Sequence, residues 1–176
     1  MSNLITSLKP KDLSSDSFLL KSATGVGLIV SGVFLAATNK TVTSEYSSIS
    51  PKWTLNNVMP LVLVIWLVAI VALVLVWHQA TLFTSNKELM NILMFSIFGL
   101  LFVYVFSFFS RNVKAAKYVI LTVTLLHVLL IGMLWREDST RPLSFMALAV
   151  FGFLVWRTAS DFCLDKRLNL SQQLQQ

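Results

Sequence analysis

The sequence predicts an all-α integral membrane protein, a bundle of four to five transmembrane helices, and three observations predict it. Hydrophobic residues fill 56% of the 176 positions and charged residues only 12%, about half the charged fraction of a soluble domain. The mean hydropathy is +0.74. The apolar residues gather in runs close to the roughly 20 residues a helix needs to cross a bilayer. These runs are 18–38, 58–77, 89–109, 118–135 and 142–156, within a transmembrane domain of 18–167. A polar N-terminal segment (1–17) precedes it and a polar tail (168–176) follows.

The N-terminal segment places Leu4, Ile5 and Leu8 at helical spacing ahead of Pro10, as an interfacial piece or a loose tail would. No signal peptide is expected, because the first apolar run follows a mixed-charge leader and lacks a small-residue cleavage site. Run one has Lys21 near its start and two rows of small residues, Ala23–Gly27–Ser31 and Gly32–Ala36. Residues four apart share a helix face, so these rows predict close helix–helix packing. The stretch GVGLIV puts Val30 where a dinucleotide fingerprint needs glycine, and a membrane run is the wrong context for it.

Residues 39–57 read as a Ser/Thr-rich loop, with Trp53 suited to the membrane interface. Run two holds no charge, and Pro60 falls in its first turn, where a missing N–H is tolerated. The TSNKE turn offers Ser85 or Asn86 as the cap of run three. Run three is rich in phenylalanine and also carries Ser96, Tyr104 and Ser107. A short WREDSTRP linker makes runs four and five antiparallel neighbours. Run five is apolar for 15 residues only, about 22 Å against a hydrocarbon core of about 30 Å. It is expected to continue as a helix through Arg157 and Asp161, an (i, i+4) pair that partly neutralises itself. Asp165 lies one turn further along the same face, and the tail beyond it reads as mobile.

The basic residues bear on orientation. If all five runs cross, six (Lys9, Lys11, Lys21, Lys87, Arg136, Arg141) face eight (Lys40, Lys52, Arg111, Lys114, Lys117, Arg157, Lys166, Arg167). If run one does not cross, the division is eleven against three, which the positive-inside rule prefers. The length and small-residue face of run one favour the five-span arrangement, with the RNVKAAK loop and the C-terminus in the cytosol. Arg111, Lys114 and Lys117 then form a cytosolic basic flank on one helical turn. The charge is grouped at run ends rather than in a stripe, so nucleic-acid binding is not expected.

Chemistry is sparse. His127 falls about 15 Å into run four, near mid-bilayer, where ionisable residues invite a functional reading. Haem ligation, a quinone hydrogen bond and a proton relay are the functional options. A neutral imidazole bonded to a hydroxyl of Thr124, Ser96, Tyr104 or Ser107 is preferred. His78 sits at an interface beside Trp77, so the two histidines differ in depth by about 10–15 Å and make a poor haem pair. Haem is thus disfavoured, and no cofactor or metal site is expected. A lone Cys163 excludes an internal disulfide. All eight carboxylates fall outside the apolar runs, so a coupled carrier lacks its intramembrane acid unless Asp161 is drawn inward. No catalytic constellation is visible. The sequons at Asn39 and Asn169 carry no weight.

The expected function is therefore non-catalytic: an accessory, assembly or stabilising subunit of a larger membrane complex. Its partners would be other integral membrane proteins and lipids, in a homo- or hetero-oligomer. The alternatives are a redox or quinone-associated anchor using His127, and a small channel or carrier whose path passes Thr124, His127, Tyr104 and Ser107.

Overall fold

The computed structural model describes residues 15–173, so the expectation for the first fourteen residues lies outside it. Six α-helices follow one another: α1 (Ser15–Thr38), α2 (Lys40–Ile49), α3 (Met59–Phe83), α4 (Lys87–Phe109), α5 (Val113–Arg136) and α6 (Arg141–Gln173). Two 3-10 turns, Lys52–Thr54 and Asn56–Val58, join α2 to α3. Five helices, all but α2, are long and apolar enough to cross a membrane. The chain is an all-helical, multi-pass membrane protein by helix length and hydropathy.

Local chemistry sets the helix ends. Pro60 occupies the first turn of α3, where its missing N–H has no intrahelical acceptor to lose. Asn86 rather than Ser85 caps α4, its Oδ1 accepting from the Leu89 N–H at 3.2 Å. Asn112 caps α5 in the same way from Ala115, at 3.1 Å. Between α4 and α5 the chain reverses through Arg111 at φ 63°, a left-handed conformation that is uncommon for a side-chain-bearing residue. Ser85 instead meets Glu137 across the opposite end of the bundle, hydroxyl to carboxylate at 2.7 Å.

Helices α3, α4, α5 and α6 form a closed ring of neighbours, and α1 lies outside it against α3 and α4. Pairing along α1 fixes its direction: Lys21 meets Thr81, Gly25 faces Ile70 and Val74, and Gly32 faces Trp66. Rising numbers on α1 against falling numbers on α3 mean antiparallel packing over at least three turns. Run one is therefore a full member of the bundle, although its enclosure is the lowest. Only 22% of its most apolar stretch is buried, against 33% to 50% for the other four.

Residues 39–57 depart from the loop expected of them. Lys40–Ile49 is helical and buries Val42 and Tyr46. Their spacing of four puts both on one face, which docks on the bundle, while the serines and threonines cap their own backbone carbonyls. Such residues favour turns in isolation, so docking, not propensity, makes this helix. The tail departs as well, since α6 runs on through the polar LNLSQQ stretch to Gln173.

Candidate functional site

The most concentrated chemistry in the interior gathers around Arg157 on α6. Asp161 follows one turn later, and the guanidinium Nη2 lies 2.6 Å from its Oδ1. The Arg157 Nε donates to the Tyr104 hydroxyl on α4 at 2.6 Å. Its Nη1 donates to the Asn56 side-chain carbonyl at 2.9 Å. The flat face of the guanidinium sits 4.6 Å from the centre of the Phe108 ring, a cation–π distance. Arg157 is 3% exposed and Asp161 is fully buried. A charge taken from water at this depth is tolerable only when paired and hydrogen-bonded, and Arg157 has a partner for each nitrogen.

The connection from α2 to α3 closes this cluster over. Asn56 itself donates to the Ser50 hydroxyl at 2.9 Å. Trp156 Nε1 donates to the Trp53 carbonyl at 3.1 Å, Arg167 to the Ile49 carbonyl at 3.0 Å, and the Tyr46 hydroxyl to the Phe108 carbonyl at 3.3 Å. Outside them, Arg111 pairs with Glu45 at 3.2 Å. Burial first and Glu45 second push the Tyr46 phenol up to about 12, so it stays an O–H donor throughout the physiological range. Beside the cluster is a cavity of about 40 Å³ reached by Gly32, Val62, Trp66, Tyr104, Phe108 and Arg157, room for one or two water molecules. Trp66 Nε1 has no acceptor among the described residues.

The arrangement unites three residues singled out by the sequence, Arg157, Asp161 and Tyr104, with Asn56, which the sequence does not mark. Arg157 and Asp161 form the ion pair their spacing suggested, and Asp161 is drawn fully inward. Tyr104 belongs to this pair rather than to His127. His127 is fully buried, but neither ring nitrogen has a hydrogen-bond partner among the described residues. The Ala147 carbonyl is near the ring without reaching bonding geometry. Thr124, expected to serve the imidazole, instead bonds the Ile120 carbonyl at 2.8 Å and Thr158 at 3.0 Å. Ser96 is exposed and bonds the Ile92 carbonyl, while Ser107 is only half-buried. The hydroxyl clasp for His127 is therefore absent among the described residues: Thr124, Ser96 and Tyr104 are committed elsewhere, and Ser107 makes no bond to the ring.

His78 packs on α1, its ring 4.7 Å from that of Phe18. No three His, Cys, Asp or Glu side chains converge among the described residues. The basic flank also divides. Arg111 precedes α5 and turns to α2, Lys114 is exposed, and Lys117 is buried and pairs with Asp165. The expected shared face fails because the helix begins only at Val113, so Arg111 is not on it. Of the small residues, Gly32 and Ala36 are buried, Gly27 and Ser31 are half-buried, and Ala23 faces outward. The deep row is Lys21, Gly25, Leu28, Gly32 and Ala36, one step round the helix from the row that contains Ala23.

Sequence reasoning missed Asn56, which sits in a polar stretch with no local signal and finds its partner 101 residues away. It also passed over Lys21, although a cation inside an apolar run is itself a signal. No known protein family, curated protein or solved structure matches this chain.

Proposed function

We propose that the protein is a non-catalytic structural subunit that stabilises or helps assemble a larger complex within a membrane. The observation that supports this reading is the use made of Arg157. Each guanidinium nitrogen is consumed in tying α6 to α4, to the α2–α3 connection and to its own next turn. That is the behaviour of a clamp, with all three nitrogens engaged by the protein itself. The outer face of α1 supplies the surface for a partner helix, through Leu20, Val26, Val30, Val33 and Phe34, all more than 45% exposed. The end bearing α2 and the α4–α5 turn is assigned to the cytosol, since the larger share of the basic residues flanks it.

The test joins assembly to that face. The protein is isolated in mild detergent and its cross-linked neighbours are identified, for the wild type and for Val30→Trp with Phe34→Ala. The expected outcome is a defined membrane-protein partner that the double variant loses, and lower levels of the assembled partner in cells lacking this chain. A lone monomer with no reproducible neighbour removes the proposal.

One observation favours a second reading, a small ion- or proton-coupled carrier. Asp161 supplies the intramembrane acid that such a carrier uses, and Tyr104 and Arg157 stand beside it. Proton flux into proteoliposomes decides: flux abolished by Asp161→Asn supports the carrier, and no flux above empty vesicles dismisses it.

A further inference from the structure

At the end of the bundle remote from Arg157, Lys21 is a cation inside a membrane span that little holds among the described residues. It is 6% exposed. Its ammonium, which carries three donors, bonds the Thr81 hydroxyl at 2.5 Å and lies 5.6 Å from the Trp77 ring centre. Thr81 is itself directed to the Trp77 and His78 carbonyls. Among the described residues every carboxylate in an ion pair is paired with another cation. A buried charge served by one neutral acceptor and a ring is under-compensated.

A second unserved polar group lies beside it. His78, three residues before Thr81, has a buried Nδ1 with no partner among the described residues, and its carbonyl accepts from the same Thr81 hydroxyl that meets Lys21. Its ring packs edge-on against Phe18. Next to this pair, on the far side of Phe18 and Ser22, an apolar cavity of about 230 Å³ lies along the seam of α1 and α3, walled by those two residues with Gly25, Val26, Val71 and Val74. Val26 and Val71 are 57% and 45% exposed, so the seam opens sideways, toward lipid in a membrane. A dry cavity of about 150 Å³ already accepts benzene, so this one has room for a stretch of hydrocarbon chain.

We infer that the α1–α3 seam is a binding site for an anionic glycerophospholipid, one acyl chain lying along Gly25 and Val74 and the phosphate meeting Lys21. The order along α3 matches such a lipid: Val71 and Val74 wall the trough, His78 follows one turn nearer the helix end, and Thr81, which holds Lys21, comes one turn after that. Thr81 is two residues from the end of α3, the depth at which headgroups lie. A phosphate gives Lys21 the counter-charge that the described residues do not.

Wild type, Lys21→Gln, Lys21→Arg and Val71→Phe are purified in mild detergent. Bound phosphatidylglycerol is measured by native mass spectrometry in competition with equimolar phosphatidylcholine. Wild type and Lys21→Arg are expected to prefer phosphatidylglycerol, and Lys21→Gln to lower that preference about fivefold, the worth of one basic residue near an anionic surface. Val71→Phe, which fills the trough from its open side, is expected to lower retention of both lipids. An unchanged preference in Lys21→Gln overturns the headgroup contact. Displacement of phosphatidylglycerol by equimolar oleate overturns the phospholipid assignment in favour of a fatty acid. If Lys21→Gln fails to fold by gel filtration, Val71→Phe decides, and full retention in that folded variant overturns the site.

Discussion

Arg157 and Lys21 are both cations within apolar helices, one toward each end of the bundle, and the protein treats them in opposite ways. Arg157 has a carboxylate, a phenol, a side-chain amide and an aromatic face, drawn from three parts of the chain. Lys21 has a hydroxyl and an aromatic face, both from α3. The guanidinium fork can satisfy several acceptors in one plane, whereas the ammonium is a point charge on a flexible stem that can reach toward a membrane surface. The difference teaches where this molecule is locked and where it is open. At the Arg157 end the cation is met from within the protein by a carboxylate, a phenol and an amide, and the Lys21 end has donor capacity to spare among the described residues.

The contrast is broken most severely at Asp161. Asp161→Ala leaves Arg157 buried without its counter-charge, which costs about 3–5 kcal/mol, read as a lowered unfolding midpoint in detergent. The double change Arg157→Met with Asp161→Leu is expected to cost much less, because it removes both charges together. Lys21→Met, in detergent freed of anionic lipid, is expected to leave the midpoint nearly unchanged. Equal losses at Lys21 and Asp161 would erase the distinction between the two ends.

Packing on the Lys21 side comes next. A Cβ on Gly25 would fall 2.6 Å from Val74 Cγ2, and a β-branched side chain in a helix has little freedom to turn away. Gly25→Val is therefore expected to cost about 1–3 kcal/mol by overpacking. Gly99→Ala, with nothing within 4 Å, is expected to gain about 0.5–1 kcal/mol from helix propensity. The paired unfolding curves check both signs. His127→Leu tests the space between the two ends: removing a buried imidazole without a partner is expected to stabilise by about 1 kcal/mol. A loss of stability there would reveal a bond to the ring.

The smallest effect lies at Glu137. The Ser85 hydroxyl and backbone N–H hold its carboxyl below the ordinary carboxylate value. A lowered folded-state value means stability that is present above the unfolded value of about 4.3 and lost as the pH falls through the folded one. Acid titration of the unfolding midpoint should show this slope in the wild type and a shallower one in Glu137→Gln.

Much of the fold was legible because bilayer crossing demands long apolar runs, and apart from Val58, which ends a 3-10 turn, all five expected runs lie within α-helices. Their ends were less legible. The run ending at Trp156 continues for another 17 residues to Gln173, since helix outlasts hydrophobicity when Asp165 and Arg167 find partners on other elements. α2 was illegible for the opposite reason, as its composition favours turns and only Val42 and Tyr46 mark a docking face. Of the site, the Arg157–Asp161 spacing was readable because it is local. Tyr104 was recognised as an intramembrane polar group but assigned to the wrong partner, and Asn56 gave no sign. Contacts set by tertiary arrangement leave no periodicity in the chain, so the local half of the cluster was visible and the long-range half was not.

The 101-residue separation between Asn56 and Arg157 also orders events during biosynthesis. At about 5–20 residues per second, Asn56 leaves the ribosome roughly 5–20 s before the residue it will hold. The links from Ile49 and Trp53 wait equally long, for Arg167 and Trp156. For the first half of that interval nothing beyond α1 fastens the segment; Phe108 and Arg111 then arrive to meet Tyr46 and Glu45. Arrival of the final helix completes the closure through Asn56, Trp53 and Ile49, so a nascent chain cut short before Arg157 exposes a half-latched amphipathic segment, a physical mark by which quality control could tell unfinished chains from finished ones.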